Sequence, residues 1–265
     1  MTFMSVVSKS SLFESLKYLL FLGILAALLS LSIGKMEYNW QWYRVWKYLI
    51  SRSSNGNLIF GSLLSGLAVT LKISAISLLF AFIIGVITAL FRLSTSFAAR
   101  LLSRVYLELI RNTPLLIQLF VIYFVISPVF DISPFTSAVL ALSLFEGAYA
   151  SEIIRGGINS IPRGQWESAY SLGFSTLDTY RYIIIPQTMR QILPPLASQA
   201  VSLIKDSALV STIAIYDLTM AGQAIISETF LTFEIWLTVA AIYLIMTVSI
   251  STFVHYLEKR NRYSE

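Results

Sequence analysis

The sequence contains no cysteine and a single histidine, His255. Without thiols there is no disulfide framework, no thiolate nucleophile and no cysteine metal site. One imidazole does not build a zinc centre. Charge is scarce as well: Asp, Glu, Lys and Arg supply 12% of the 265 residues, where a soluble domain carries about 25%. No Gly-x-x-x-x-Gly-Lys-[Ser/Thr] segment occurs, so the chain does not hold ATP by that route. Repeats and low-complexity tracts are missing too. What abounds is apolar, with 56% of residues from that set and a mean hydropathy of +0.74. These figures exclude an ordinary cytosolic globular protein, a disordered chain and a nucleic-acid binder. The net charge of +5 is then loop charge that sets membrane topology. The chain reads as an integral membrane protein.

Charge-free runs locate the spans, at about 20 residues each. The expectation is an all-α protein with core helices near 61–91, 100–130, 134–155, 180–205 and 234–257, and an extra N-terminal helix at 16–34 that is kept as a signal-anchor. Arg92, Arg100 and Arg104 share one loop, Arg155, Arg163 and Arg181 another, and Lys259, Arg260 and Arg262 end the chain. Asp131-Ile132-Ser133 and the stretch 206–234 carry no base. The positive-inside rule therefore puts 92–104, 155–181 and the C-terminus in the cytoplasm. Residues 35–60 run against it with Lys35, Arg44, Lys47 and Arg52. Their Trp40, Trp42, Tyr43, Trp46 and Tyr48 suit a segment lying at the interface. The domain reading is 1–60 for that helix and segment, then 61–260.

The loop 155–181 is longer than a connector needs. Pro162 suits the first turn of a helix running to about Leu172, and Gly173 is its natural left-handed stop. Ser175 with Asp178 three residues on makes a capping box for the next helix. A compact helical hairpin of this kind is suited to docking.

Here the residues resemble a known family. Glu167-Ser168-Ala169, Gly173 and Ile183-Ile184-Ile185-Pro186 are similar to the E-A-A-x-x-x-G-x9-I-x-L-P signature of bacterial ABC importer permeases, with Ser168 and Ile185 as conservative departures. Glu108-Leu109-Ile110-Arg111-Asn112-Thr113-Pro114-Leu115-Leu116-Ile117-Gln118 resembles the polar amino acid permease motif. So do Gly147-Ala148-Tyr149-Ala150-Ser151-Glu152-Ile153-Ile154-Arg155-Gly156-Gly157, Pro194-Pro195, and the run from Ile204-Lys205-Asp206 to Ile213. The resemblance covers roughly Phe60 to Arg260. It implies a five-helix core and a transport subunit without its own catalytic site. Glu167, Ser168, Ala169 and Gly173 would form the helix that sits on an ATPase subunit dimer. ATP and Mg would lie on that partner, with no cofactor on this chain. It further implies a second permease copy or a related permease, an extracytoplasmic substrate-binding protein, membrane lipid around the spans, no nucleic acid, and a place in the bacterial cytoplasmic membrane.

Ionisable groups at membrane depth cost about 2.5–3.5 kcal/mol each, so each needs a reason. Glu108 and Arg111 stand at the spacing of a helical ion pair. Glu146 and Glu152 share a helix, and Lys205 and Asp206 close another. An amino acid carries a carboxylate and an ammonium, and Arg111, Glu146, Glu152, Lys205 and Asp206 are the candidates for its path. Two carboxylates near one path favour a basic or amide side chain, whereas the C-terminal third resembles permeases for acidic and amide amino acids. Glutamine or a glutamate-like polar amino acid is the favoured substrate, with a basic amino acid such as arginine as the alternative. A stand-alone secondary transporter with helices broken at prolines is the second class. An intramembrane hydrolase built on Ser202 and Lys205 is the third.

Overall fold

The structure, a computed structural model, describes residues 38–52 and 58–262 together with 17, 20, 21, 23 and 24; at 52, 255 and 257–262 it describes the backbone alone. The expected N-terminal helix at 16–34 therefore lies almost wholly outside the described residues. Contacts divide the chain into two compact units, 1–41 and 42–265. In the first, Tyr38 and Trp40 meet edge to face at 5.2 Å.

The second unit opens with a 3-10 turn at Trp42–Arg44 and a short helix, α1 (Trp46–Leu49). Strands β1 (Ile50–Arg52) and β2 (Leu58–Phe60) then pair antiparallel, Ile50 opposite Phe60. This hairpin is an addition to the all-α expectation. Seven of the aromatic and apolar side chains here, Trp42, Tyr43, Trp46, Ile50, Leu58, Ile59 and Phe60, are exposed.

The bundle follows. Helix α2 (Ser62–Leu93) is long enough to cross a membrane. Helix α3 (Phe97–Arg111) and helix α4 (Leu115–Phe130) come next, then α5 (Pro134–Asn159) and the short α6 (Arg163–Ser171). Helix α7 (Thr176–Ile213), α8 (Leu218–Thr229) and α9 (Thr232–Arg262) complete it. Hydroxyl and carboxylate caps start several of these: Ser96, Ser133, Ser175 and Asp217 each accept from the backbone N–H three residues on.

Helices α2 and α5 run parallel. Ser143 donates to the Ser77 carbonyl, Ile84 lies against Gly147, and Gly85 lies against Ala150. Small residues and hydroxyls let the two backbones approach. Their shared direction brings Arg92, Arg155 and α6 to one end of the bundle.

The span expected at 100–130 is corrected. It is two helices, α3 and α4, bent by 105°. Pro114 has no N–H to continue α3, and the side chains around it satisfy the carbonyls this frees. Gln118 Nε2 donates to Ile110 O at 2.7 Å and Thr113 O at 2.8 Å, Thr113 Oγ1 to Leu109 O, and Asn112 Nδ2 to Glu108 O. The Arg-Asn-Thr-Pro run is thus the recipe for a corner.

The α-helix of the span expected at 180–205 ends at Asp206, close to expectation, but α7 begins earlier, at Thr176, and a 3-10 turn carries it on to Ile213. Both α4 and α7 contain a π-helical stretch, Val121–Ile126 and Thr179–Ile184, each ending two residues before a proline, Pro128 and Pro186. A wider turn of this kind relieves the clash of a proline ring with the preceding turn. Helix α8 falls in what the sequence reads only as an acidic outer loop. Leu218 N donates to the buried Thr70 Oγ1 at 3.1 Å, tying its start to α2. Lys72 is exposed and places its ammonium 5.3 Å from the Phe135 ring.

Candidate functional site

The loop after α5 folds as the sequence predicts. Pro162 precedes α6, and Gly173 ends it at φ +82. Phe174 N donates to Ala169 O and Gly173 N to Tyr170 O, the paired bonds of a Schellman stop. Nothing lies within 4 Å of where a Gly173 side chain would begin, so the backbone angle alone demands glycine. Ser175 accepts from Asp178 N and donates to its carboxylate at 2.6 Å.

The surface of this hairpin is divided. Glu167 and Ser168 are exposed, whereas Ala169 is 1% exposed. Ala169, one of the four residues expected on the docking helix, is thus covered by the chain itself. Its methyl faces the bundle, where Trp166 packs edge to face on Tyr180 at 5.1 Å. The outward face instead carries Tyr170, Leu172 and Leu177, the two leucines 76% and 75% exposed. Sequence reasoning passed over these three, although apolar side chains in a polar loop are a signal of their own.

The five residues singled out at membrane depth separate into two groups. In the middle of α5, Glu146 is 3% exposed. Its Oε2 accepts from Gln199 Nε2 of α7 at 3.0 Å, and its Oε1 is buried with no hydrogen-bond partner. Asp206, half-buried on α7, stands near enough to repel it, and Lys205 in turn attenuates Asp206. Glu146 thus has Asp206 near it and Gln199, which the sequence reading missed, bonded to it, with Lys205 beside Asp206 in the chain. Lys205 and Asp206 stand in the last turn of the α-helical part of α7, which ends at Asp206 before the 3-10 turn to Ile213.

Two turns further along α5, Glu152 gathers three guanidinium groups. Arg92 and Arg111 both donate to Oε1, the latter at 3.4 Å, and Arg155 donates to Oε2 at 2.8 Å. Arg111 is thereby taken from the expected pairing with Glu108, whose carboxylate accepts from Asn112 at 2.9 Å instead. A cleft of about 680 Å³ opens beside this knot, with Arg92, Arg100, Arg104, Arg111, Glu108 and Glu152 in its lining. Arg92 entered the sequence reading only as a topology signal, and Arg155 as a topology signal and a motif residue. Among the described residues no group of three or more His, Cys, Asp and Glu is placed to hold a metal.

Residues 81–263 match the family described as the inner membrane component of binding-protein-dependent transport systems. The chain belongs to that family. Among its relatives is the glutamine transport system permease protein GlnP of Escherichia coli, 39% identical over 201 residues that cover 75% of this chain and 92% of the relative. The L-cystine transport system permease protein TcyB of Bacillus subtilis is 40% identical over 198 residues, 74% of this chain and 84% of its own. A crystal structure of an amino acid ABC transporter with histidines superposes with a TM-score of 0.74 at 36% identity, covering 84% of this chain and all of that one. The resemblance carried by the sequence motifs thus holds, as does the all-α permease fold. The family match begins inside α2 and takes in both charge clusters and the α6 hairpin.

Proposed function

We propose that this chain is the permease subunit of an ATP-driven importer that carries a polar amino acid, glutamine or a close relative, across the bacterial cytoplasmic membrane. Residues 61–260 form the transport domain, the C-terminus is cytoplasmic, and a soluble ATPase dimer supplies the energy with its own ATP and Mg. An extracytoplasmic binding protein delivers the substrate, and a second permease, identical or related, completes the pathway. The α6 hairpin meets the ATPase through Glu167, Ser168, Tyr170 and Leu172, with Gly173 setting the corner.

The observation that carries the substrate reading is Glu146. A carboxyl at the middle of a span, with one oxygen held by Gln199 and the other unpartnered, is an acceptor waiting for a donor. The α-ammonium of an amino acid is such a donor. Names of the relatives support the class of substrate, glutamine and cystine among them. Glu152 has its charge answered by arginines, which leaves Glu146, with Asp206 near it, as the carboxyls on the path. A basic substrate is the second reading, since the free Glu146 oxygen also suits a guanidinium.

The test is uptake in proteoliposomes containing permease, ATPase and binding protein. Excess unlabelled glutamine is expected to block transport while arginine does not. The reverse pattern would replace glutamine with a basic amino acid, and uptake without any ATPase subunit would replace the importer with a secondary transporter.

A further inference from the structure

Helix α3 divides into three faces. Ser103 and Leu107 are buried, and Tyr106 donates to Leu144 O at 2.6 Å, so one face docks on α5. Leu101, Leu102, Val105 and Leu109 form a second face, each between 48% and 64% exposed. Arg100, Arg104 and Arg111 fall within about 40° of one another on a third, at the 3.6-residue repeat of a helix. This third face opens into the cleft beside Glu152.

The charge of that cleft is not balanced from within. Glu152 is engaged by Arg92, Arg111 and Arg155, and Glu108 accepts from Asn112. Arg104 makes no ion pair among the described residues, and Arg100 donates only to the Thr95 carbonyl at 3.3 Å. The cleft therefore holds positive charge with guanidinium donors to spare. Because α3 meets α4 at 105°, it runs across the direction of the helix that follows it rather than continuing it. An exposed apolar flank beside a basic flank, on a helix turned sharply from the one that follows it, is the arrangement of an interfacial helix.

We propose that this cleft binds the phosphate of an anionic phospholipid, whose acyl chains lie along Leu101, Leu102, Val105 and Leu109. Guanidinium forks match phosphate oxygens two at a time, with a geometry an ammonium lacks. Inorganic phosphate would use the arginines and leave the leucines bare. A second copy of the chain placed on the leucines would bring its own basic cleft alongside. A phospholipid answers both faces together. The site is separate from the Glu146 group and does not depend on which amino acid is carried.

Native mass spectrometry of the full chain in detergent, titrated with phosphatidylglycerol and phosphatidylcholine of equal chain length, tests this. Phosphatidylglycerol is expected to be retained at about tenfold lower concentration than phosphatidylcholine, an advantage that falls as salt rises. Arg100→Ala with Arg104→Ala should erase that advantage, Arg100→Lys with Arg104→Lys should keep part of it, and Leu101→Ser with Leu109→Ser should weaken both lipids. Should the alanine pair fail to fold, the lipid preference and its salt dependence in the unaltered protein still decide. Equal retention of the two lipids overturns the proposal. Displacement of phosphatidylglycerol by millimolar inorganic phosphate overturns it in favour of a free-phosphate site. A dimer mass that excludes lipid overturns it in favour of a second copy.

Discussion

Gln199 reaches from α7 to Glu146 on α5, its Nε2 donating to Oε2 across 3.0 Å while Oε1 remains buried and unpartnered. The asymmetry has a cost to folding. An orphaned buried acceptor destabilises by about 1–3 kcal/mol, and such groups persist where function uses them. The relationship also fixes the orientation of the carboxyl, since one oxygen is held and the other is turned to the interior.

Glu146→Gln is close to isosteric and removes the charge. Uptake is expected to fall about tenfold, the difference between a charge-assisted and a neutral hydrogen bond to an ammonium. The melting temperature should hold or rise, because the burial cost is relieved. Transport assays beside thermal melts in the same detergent check both halves. Unchanged uptake would remove Glu146 from the pathway.

Gly173→Val places a β-branched residue at φ +82, with a strain of about 1–3 kcal/mol. Since the space around that position is open, the cost is limited to that backbone strain: the bundle should still insert, with melting lowered by no more than this, while ATP hydrolysis runs without uptake. Asn tolerates the left-handed region, so Gly173→Asn should retain coupling. Parallel measurement of hydrolysis and transport in the reconstituted complex distinguishes the two variants.

The parts of the fold that were legible in the sequence are those written in local chemistry. The α6 helix, its Gly173 stop and the Ser175 cap follow from residues a few positions apart. The 105° corner was half legible: Pro114 announces a break, but Gln118 reaching back to Ile110 and Thr113 depends on how the chain folds over itself. Run length marks apolar stretches and is blind to direction, which is why α3 was merged with α4. The two charge groups were legible as residues and not as pairings. Glu146 and Gln199 are 53 positions apart, and Arg92 is 60 from Glu152. Helical spacing ties Arg111 to Glu108, yet the tertiary partner Glu152 prevails. Ala169 was grouped with the docking residues by its motif, and its burial is a matter of packing that the motif does not carry.

The two sides of α6 should separate stability from coupling. Ala169→Leu overpacks a site that is 1% exposed, with an expected loss of about 1–3 kcal/mol and a lower melting temperature. Leu172→Asp, on a side chain 76% exposed, should leave melting within about 0.5 kcal/mol of the original and weaken retention of the ATPase. Glu167→Lys should act in the same direction more gently, since an exposed pair is worth about 0–1 kcal/mol. Co-purification of the ATPase with each variant, beside its melting curve, checks the division.

Glu152 holds three cations from three elements, α2, α3 and α5, so it acts as a tie across one end of the bundle. With its charge removed, Arg92, Arg111 and Arg155 repel one another around a side chain that no longer answers them. Glu152→Gln is therefore expected to cost about 1–3 kcal/mol, more at low ionic strength than at high, because the arginines are partly exposed and salt screens their repulsion. Removing one cation should relieve part of that loss. The double variant Glu152→Gln with Arg155→Gln should melt above Glu152→Gln alone, and its coupling energy should be the unequal corner of a double-mutant cycle. Thermal melts of the four proteins at two salt concentrations measure this. Additive losses that ignore salt would show the three contacts to be independent of one another.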